Sequence, residues 1–195
     1  MPLTSQISVY DPRWPDLFLS EQQRIRSVFA NALVTIHHVG STAVPGLAAK
    51  PEIDLLVEVS EHRDVGDVTE RMKSLGYVRG TDLSQDHHFY RRDVSGVRTH
   101  KVHVCRSGHW QIARMLRFRD LLRQDPDLSA RYQALKLHLD HEPAWHRRVP
   151  RLEGSLHRRC LGAQARARLI SGPDCGHPAI GALCRLGTIA GAAHA

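Results

Sequence analysis

His38-Val39-Gly40-Ser41-Thr42-Ala43-Val44-Pro45-Gly46-Leu47-Ala48-Ala49-Lys50-Pro51-Glu52-Ile53-Asp54-Leu55-Leu56-Val57 sets a Gly-Ser pair at the end of one apolar run and Glu-x-Asp at the head of another. The flanks, 32–39 and 53–59, are short and rich in β-branched residues, so both read as strands. Gly40 lets the backbone turn sharply and approach a ligand closely. Ser41 offers a hydroxyl and an N–H to a phosphate oxygen. On a strand, residues two apart share a face, which projects Glu52 and Asp54 together, ~6–7 Å apart. Two such carboxylates suit Mg²⁺ (or Mn²⁺), a hard cation that takes oxygen ligands. The bland alternative is a solvated strand mouth beside a common turn dipeptide.

Working outward, Val9–Pro15 reads as an extended lead-in held by Tyr10 and Trp14, followed by a helix at about 16–31. A short helix is expected at 42–49. Ser60 and Asp64 are candidate caps for a helix over 63–75 that stops at Gly76. Residues 87–94 and 97–105 alternate around Ser95-Gly96, a hairpin signal. Helices at 109–123 and 127–138 are separated by Gln124-Asp125-Pro126. The expected fold class is α+β: a small mixed sheet with flanking helices, placed on one side of it, and a C-terminal helical hairpin.

The net charge of +7 is unevenly spread. Residues 1–145 hold 19 Lys and Arg against 18 acids, whereas 146–195 hold 8 Arg against 2 acids. The first part is nearly neutral, which argues against nucleic-acid binding by the core. No run of 18 apolar residues suggests a membrane span, and no amino-terminal basic-apolar pattern suggests a leader, so a cytoplasmic protein is expected. Four cysteines without CxxC spacing are expected to be reduced.

Several motifs together resemble the nucleotidyltransferase superfamily, with its polymerase-β-like fold, and within it the GrpB family. They are Val9-Tyr10-Asp11-Pro12-Arg13-Trp14-Pro15, the 38–51 run, His100-Lys101-Val102-His103-Val104, Phe118-Arg119-Asp120 and Tyr132-Gln133-Ala134-Leu135-Lys136. The resemblance covers roughly residues 7–140. It implies that Gly40 and Ser41 hold phosphate and that Glu52 and Asp54 are metal ligands. It places His103 where the superfamily carries a third carboxylate, as a metal ligand or base. It also favours His88 and His100 as supporting residues, to which His38 is added as a further candidate, and it makes Glu52 the unusual member, where relatives are expected to carry an apolar residue.

Lys50 is a candidate phosphate contact, or an ion-pair partner of a neighbouring acid. Arg91, Arg92, Arg98 and Lys101 cluster near the hairpin, either to hold an anion or to keep a sheet face soluble. His138 and His141, and separately Cys160, Cys175, His177 and Cys184, are weak metal-site spacings.

Three functions follow as expectations. The first is transfer of a nucleotidyl group from a nucleoside triphosphate to an unknown small-molecule or protein acceptor, with Gly40, Ser41, Glu52, Asp54 and His103 at the centre. The second is a non-catalytic nucleotide-binding module assisting a partner such as a coenzyme A-pathway kinase, since a similar domain is joined to dephospho-coenzyme A kinase in some actinobacteria. The third is a metal-dependent phosphohydrolase using the histidines. The domain expectation is a core at 1–142 and an atypical basic Arg/Gly/Ala-rich tail at 143–195. That tail resembles an out-of-frame reading of GC-rich DNA or a lineage-specific extension, and reads as poorly packed.

Overall fold

A computed structural model describes residues 6–62 and 65–140. The expected domain boundary at 142/143, the tail, Asp64 as a cap, His141 and the tail cysteines lie outside the described residues.

Near the start of the described residues Ser8 is bridged to Ala49. Helix α1 (Trp14–Phe29) follows, with Tyr10 packed edge-on to Trp14 at 5.2 Å between ring centroids. Its buried residues Trp14, Phe18, Glu21, Ile25, Val28 and Phe29 recur at three- and four-residue intervals, a single stripe facing the sheet. Strands β1 (Leu33–Val39) and β2 (Ile53–Val59) fall where the apolar runs predict them. Between them only Ser41–Ala43 is helical, one 3₁₀ turn in place of the short helix expected over 42–49.

Helix α2 (Val65–Ser74) leads into β3 (Val78–Arg79), β4 (His87–Val94) and β5 (Val97–Arg106). Ser95 and Gly96 close the β4–β5 hairpin at φ 51° and 76°. Two positive φ values are what a tight two-residue turn needs to match strand twist. Helices α3 (Trp110–Gln124) and α4 (Pro126–Asp140) form a helical hairpin at the end of the described residues.

The sheet order is β1-β2-β5-β4-β3. β1 runs antiparallel to β2, β2 parallel to β5, and β5 antiparallel to β4. The sheet is therefore mixed, and the fold is α+β.

The expectation that the helices share one side is corrected. Leu55, Leu56 and Val57 are all buried, and a strand buried at consecutive positions needs cover on both faces. Leu55 and Val57 pack with Ile36, Val102, Val104 and the α1 stripe. Leu56 packs with Val39, Cys105 and Ile112, against Met115 and Leu116 of α3. A third cluster, Val44, Leu47, Leu122 and Tyr132, seats the α3–α4 hairpin on the loop that follows β1.

Candidate functional site

Strand parity assigns each polar residue to a face. Asp54 pairs with Val39 on one side and Lys101 on the other, and Leu56 pairs with His103. Asp54, Leu56, Lys101 and His103 therefore share the face partly covered by α3, together with His87, Phe89 and Arg91 of β4.

Gly40 sits at φ 73°, ψ −172°, a region essentially reserved for glycine. A Cβ there would lie 2.2 Å from Asp54 Oδ2. The missing side chain is thus the space that the Asp54 carboxylate fills. Ser41 follows directly, so the Gly-Ser turn and the Asp54 carboxylate meet as the spacing predicts.

Glu52 is 3% exposed. Its Oε2 forms an ion pair with Lys101 Nζ, which lies 4.0 Å from Asp54 Oδ1. The other oxygen, Oε1, is buried and has no hydrogen-bond partner among the described residues. Burial opposes the charge on Lys101, but Asp54 and Glu52 outweigh it and raise the ammonium above its usual range. The sequence grouped Lys101 with the hairpin arginines. Its place between the carboxylates was readable only from the β2–β5 register.

Four side chains of the helical hairpin hold the end of β1 and the loop after it. Arg123 donates to the Ala43 carbonyl through Nε (2.9 Å) and Nη2 (2.6 Å), and Arg119 Nη1 donates to the His38 carbonyl at 2.9 Å. Gln133 Oε1 accepts from the Ala48 N–H at 2.7 Å. Lys136, 5% exposed, donates to Ser41 Oγ at 2.9 Å and to the Ala48 carbonyl at 3.1 Å, with its ammonium 5.3 Å from the Tyr132 ring centre. Because Lys136 is the donor, Ser41 keeps its own hydroxyl hydrogen for an incoming oxygen. Sequence reasoning noted the 132–136 motif without a role for Lys136. Its role depends on which loop α4 packs against, which no local pattern reveals.

His38 supports the site from the α1 side. Its ring stacks on Phe18 at 4.7 Å, and its Nε2 lies 3.2 Å from Thr42 Oγ1, which donates to the Glu52 carbonyl at 3.1 Å. Thr42 therefore accepts from His38, which carries its proton on Nε2. Burial first, then Arg123 and Arg119, push His38 down to about 4, so it is neutral at physiological pH. Lys50 is half-buried, and its carbonyl accepts the Glu52 N–H at 2.7 Å.

His103 shares the site's face but does not join the carboxylates. Its Nδ1 lies 3.0 Å from His87 Nε2, and its ring packs 5.2 Å from Phe89. No group of three or more His, Cys, Asp or Glu is placed to hold a metal among the described residues. His87 Nδ1 is buried without a partner. An orphaned lone pair costs less than an orphaned N–H, so His87 donates to His103, which then carries its own proton on Nε2. Burial, then His87, Lys101 and Arg114, push His103 down to about 3. A neutral N–H donor suits an oxygen anion. It suits neither the metal ligand nor the base that the resemblance assigns to this position.

His88 and His100 are corrected: both lie on the opposite face, paired with Val104 and Arg92. His88 binds Asp82 at 2.9 Å and lines a cavity of about 130 Å³ between α1, α2 and the sheet. His100 meets Arg92 at 2.9 Å, and Arg92 holds the buried Glu21 carboxylate at 3.0 Å. That carboxylate also accepts from Tyr77 Oη at 2.9 Å. This is a core network, remote from Asp54 by strand parity.

Comparison with known proteins places this arrangement among relatives. The family model described as GrpB protein matches residues 4–153, running past the boundary read at 142. UPF0157 protein YqkA of Bacillus subtilis is 37% identical over 134 residues, which is 69% of this chain and 39% of that protein. UPF0157 protein BH1888 of Halalkalibacterium halodurans is 42% identical over 128 residues, 65% of each. The chain thus spans less than two thirds of these two relatives. A crystal structure of GrpB from Enterococcus faecalis matches 80% of this chain and 99% of its own, at TM-score 0.70 and 28% identity. A more distant likeness, 26% identity over 151 residues, is to dephospho-CoA kinase of Mycolicibacterium paratuberculosis, of which this chain covers 37%.

Proposed function

The chain belongs to the GrpB family, and from that premise we propose that it binds a nucleoside triphosphate with a divalent cation and transfers the nucleotidyl group to a hydroxyl or amine acceptor. One observation carries the reading: the Asp54 carboxylate fills the space left by Gly40, directly beside a serine whose hydroxyl is oriented by a buried lysine. A phosphate-contacting turn and an anionic oxygen donor are thus built into one wall.

The donor chemistry fits Mg²⁺ or Mn²⁺. Asp54 and Glu52 supply hard anionic oxygens, and the buried Glu52 Oε1 has no hydrogen-bond partner. These two residues would hold the ion, which when bound stabilises charge on the departing pyrophosphate. The Ser41 hydroxyl donates to a phosphate oxygen while Lys136 fixes its direction. Lys50 adds a point charge two residues before Glu52. Thr42 and His38 hold the Glu52 backbone in place. His103 contributes an N–H to an anionic group of substrate or acceptor.

One observation favours a second reading, binding without transfer. Where the resemblance expects a third carboxylate on β5 the chain has His103, and the β5 position facing Asp54 carries the ammonium of Lys101. A nucleotide-binding module serving a partner, such as a coenzyme A-pathway kinase, would need no third acid. Pyrophosphate release from nucleoside triphosphates, screened against small-molecule acceptors with Mg²⁺, separates the two. Release that disappears in Asp54→Asn supports transfer. Nucleotide binding without release under any acceptor supports the module. Absence of both overturns the proposal.

A further inference from the structure

We propose that Lys101 is the resident cation of the carboxylate pair, and that a divalent ion arriving with the triphosphate displaces it. This rests on the reading of Glu52 and Asp54 as metal-holding residues. Lys101 stands opposite Asp54 in the β2–β5 register, so its stem rises beside that carboxylate and its ammonium reaches Glu52. The Glu52 side chain is 4% exposed, Lys101 is the one cation paired with it among the described residues, and its other oxygen, Oε1, has no hydrogen-bond partner there. A buried carboxylate stripped of its counter-charge is strongly destabilising. The fold therefore needs a cation at this point whether or not ligand is bound, and the one it supplies is Lys101.

The ammonium is also able to leave. Its side chain is 31% exposed and hangs on a flexible four-carbon stem, unlike the fixed fork of an arginine. A metal ion and an ammonium cannot share the same two oxygens, because at ~4 Å like charges repel strongly outside bulk water. Metal entry is therefore an exchange. Metal alone pays for displacing Lys101, whereas metal with a triphosphate offers the freed ammonium new anionic oxygens. The consequence is a site that takes metal poorly by itself and takes metal and nucleotide together.

The test is Mn²⁺ binding to the full nucleotide-free chain, followed by electron paramagnetic resonance, in the wild type and in Lys101→Met. Removing the competitor is expected to tighten Mn²⁺ binding about tenfold or more, and to weaken triphosphate binding. Equal Mn²⁺ affinity in the two chains overturns the exchange. Absence of Mn²⁺ binding in both overturns the metal reading on which it rests. Should Lys101→Met not fold, the acetylation rate of Lys101 in the wild-type chain, read by mass spectrometry with and without Mn²⁺, decides the matter. Faster acetylation with Mn²⁺ supports displacement, and an unchanged rate at saturating Mn²⁺ refutes it.

Discussion

Gly40 carries two independent constraints: a backbone conformation closed to other residues, and a neighbouring carboxylate 2.2 Å from where a Cβ would sit. Gly40→Ala is expected to lower stability by about 1–3 kcal/mol from the backbone alone and to push Asp54 off the turn. Urea unfolding with a parallel nucleotide titration checks both. Lys136→Met removes the donor that aims Ser41, and is expected to weaken triphosphate binding several-fold while leaving the fold intact. Unchanged affinity would detach Lys136 from the site. At this scale the sequence was partly legible. Gly40, Ser41, Glu52 and Asp54 could be read from spacing, because a turn and a strand head are local features. Lys101 and Lys136 could not, because their roles depend on which strand and helix lie opposite. His100 and His103 could have been separated from the outset: three apart on one strand, they point to opposite faces.

The helical hairpin α3–α4 acts on the site through the loop between β1 and β2. Arg123, Gln133 and Lys136 bond to its backbone or to Ser41, and Arg119 to the end of β1, over sequence separations of 80 to 95 residues. Arg123→Ala frees the Ala43 carbonyl from two donors. Amide exchange over residues 41–48 is expected to speed up, with a several-fold loss of triphosphate affinity and an unchanged helical circular-dichroism signal. Protection equal to wild type would show that the loop holds its own shape. The strands at 33–39 and 53–59 fell where predicted, because β-branched runs bounded by turn residues leave little alternative. The two-sided placement of helices was less legible. It followed from the consecutive burial of Leu55, Leu56 and Val57, which an apolar run alone does not reveal.

At the scale of the molecule, six buried or half-buried histidines among the described residues are pushed below their usual range and couple stability to pH, three of them most strongly. His38 and His87 are pushed down to about 4 and His103 to about 3, chiefly by burial. The unfolded chain takes up protons at these positions below about pH 6.5, where the folded chain does not. Stability is therefore complete above that pH and declines as pH falls toward 4, by up to ~1.4 kcal/mol per pH unit for each histidine. Chemical unfolding at pH 7.5, 6 and 5 should show the decline, and a flat profile would contradict the burial of neutral rings. The central claim, a metal-dependent triphosphate site built on Gly40, Ser41 and Asp54, is tested most directly by calorimetric titration of nucleoside triphosphates, with and without Mg²⁺, into the wild type and Asp54→Asn. Binding that requires Mg²⁺ and is lost in Asp54→Asn is the expected result. No binding of any triphosphate by the wild type, or equal binding by both chains, would contradict it.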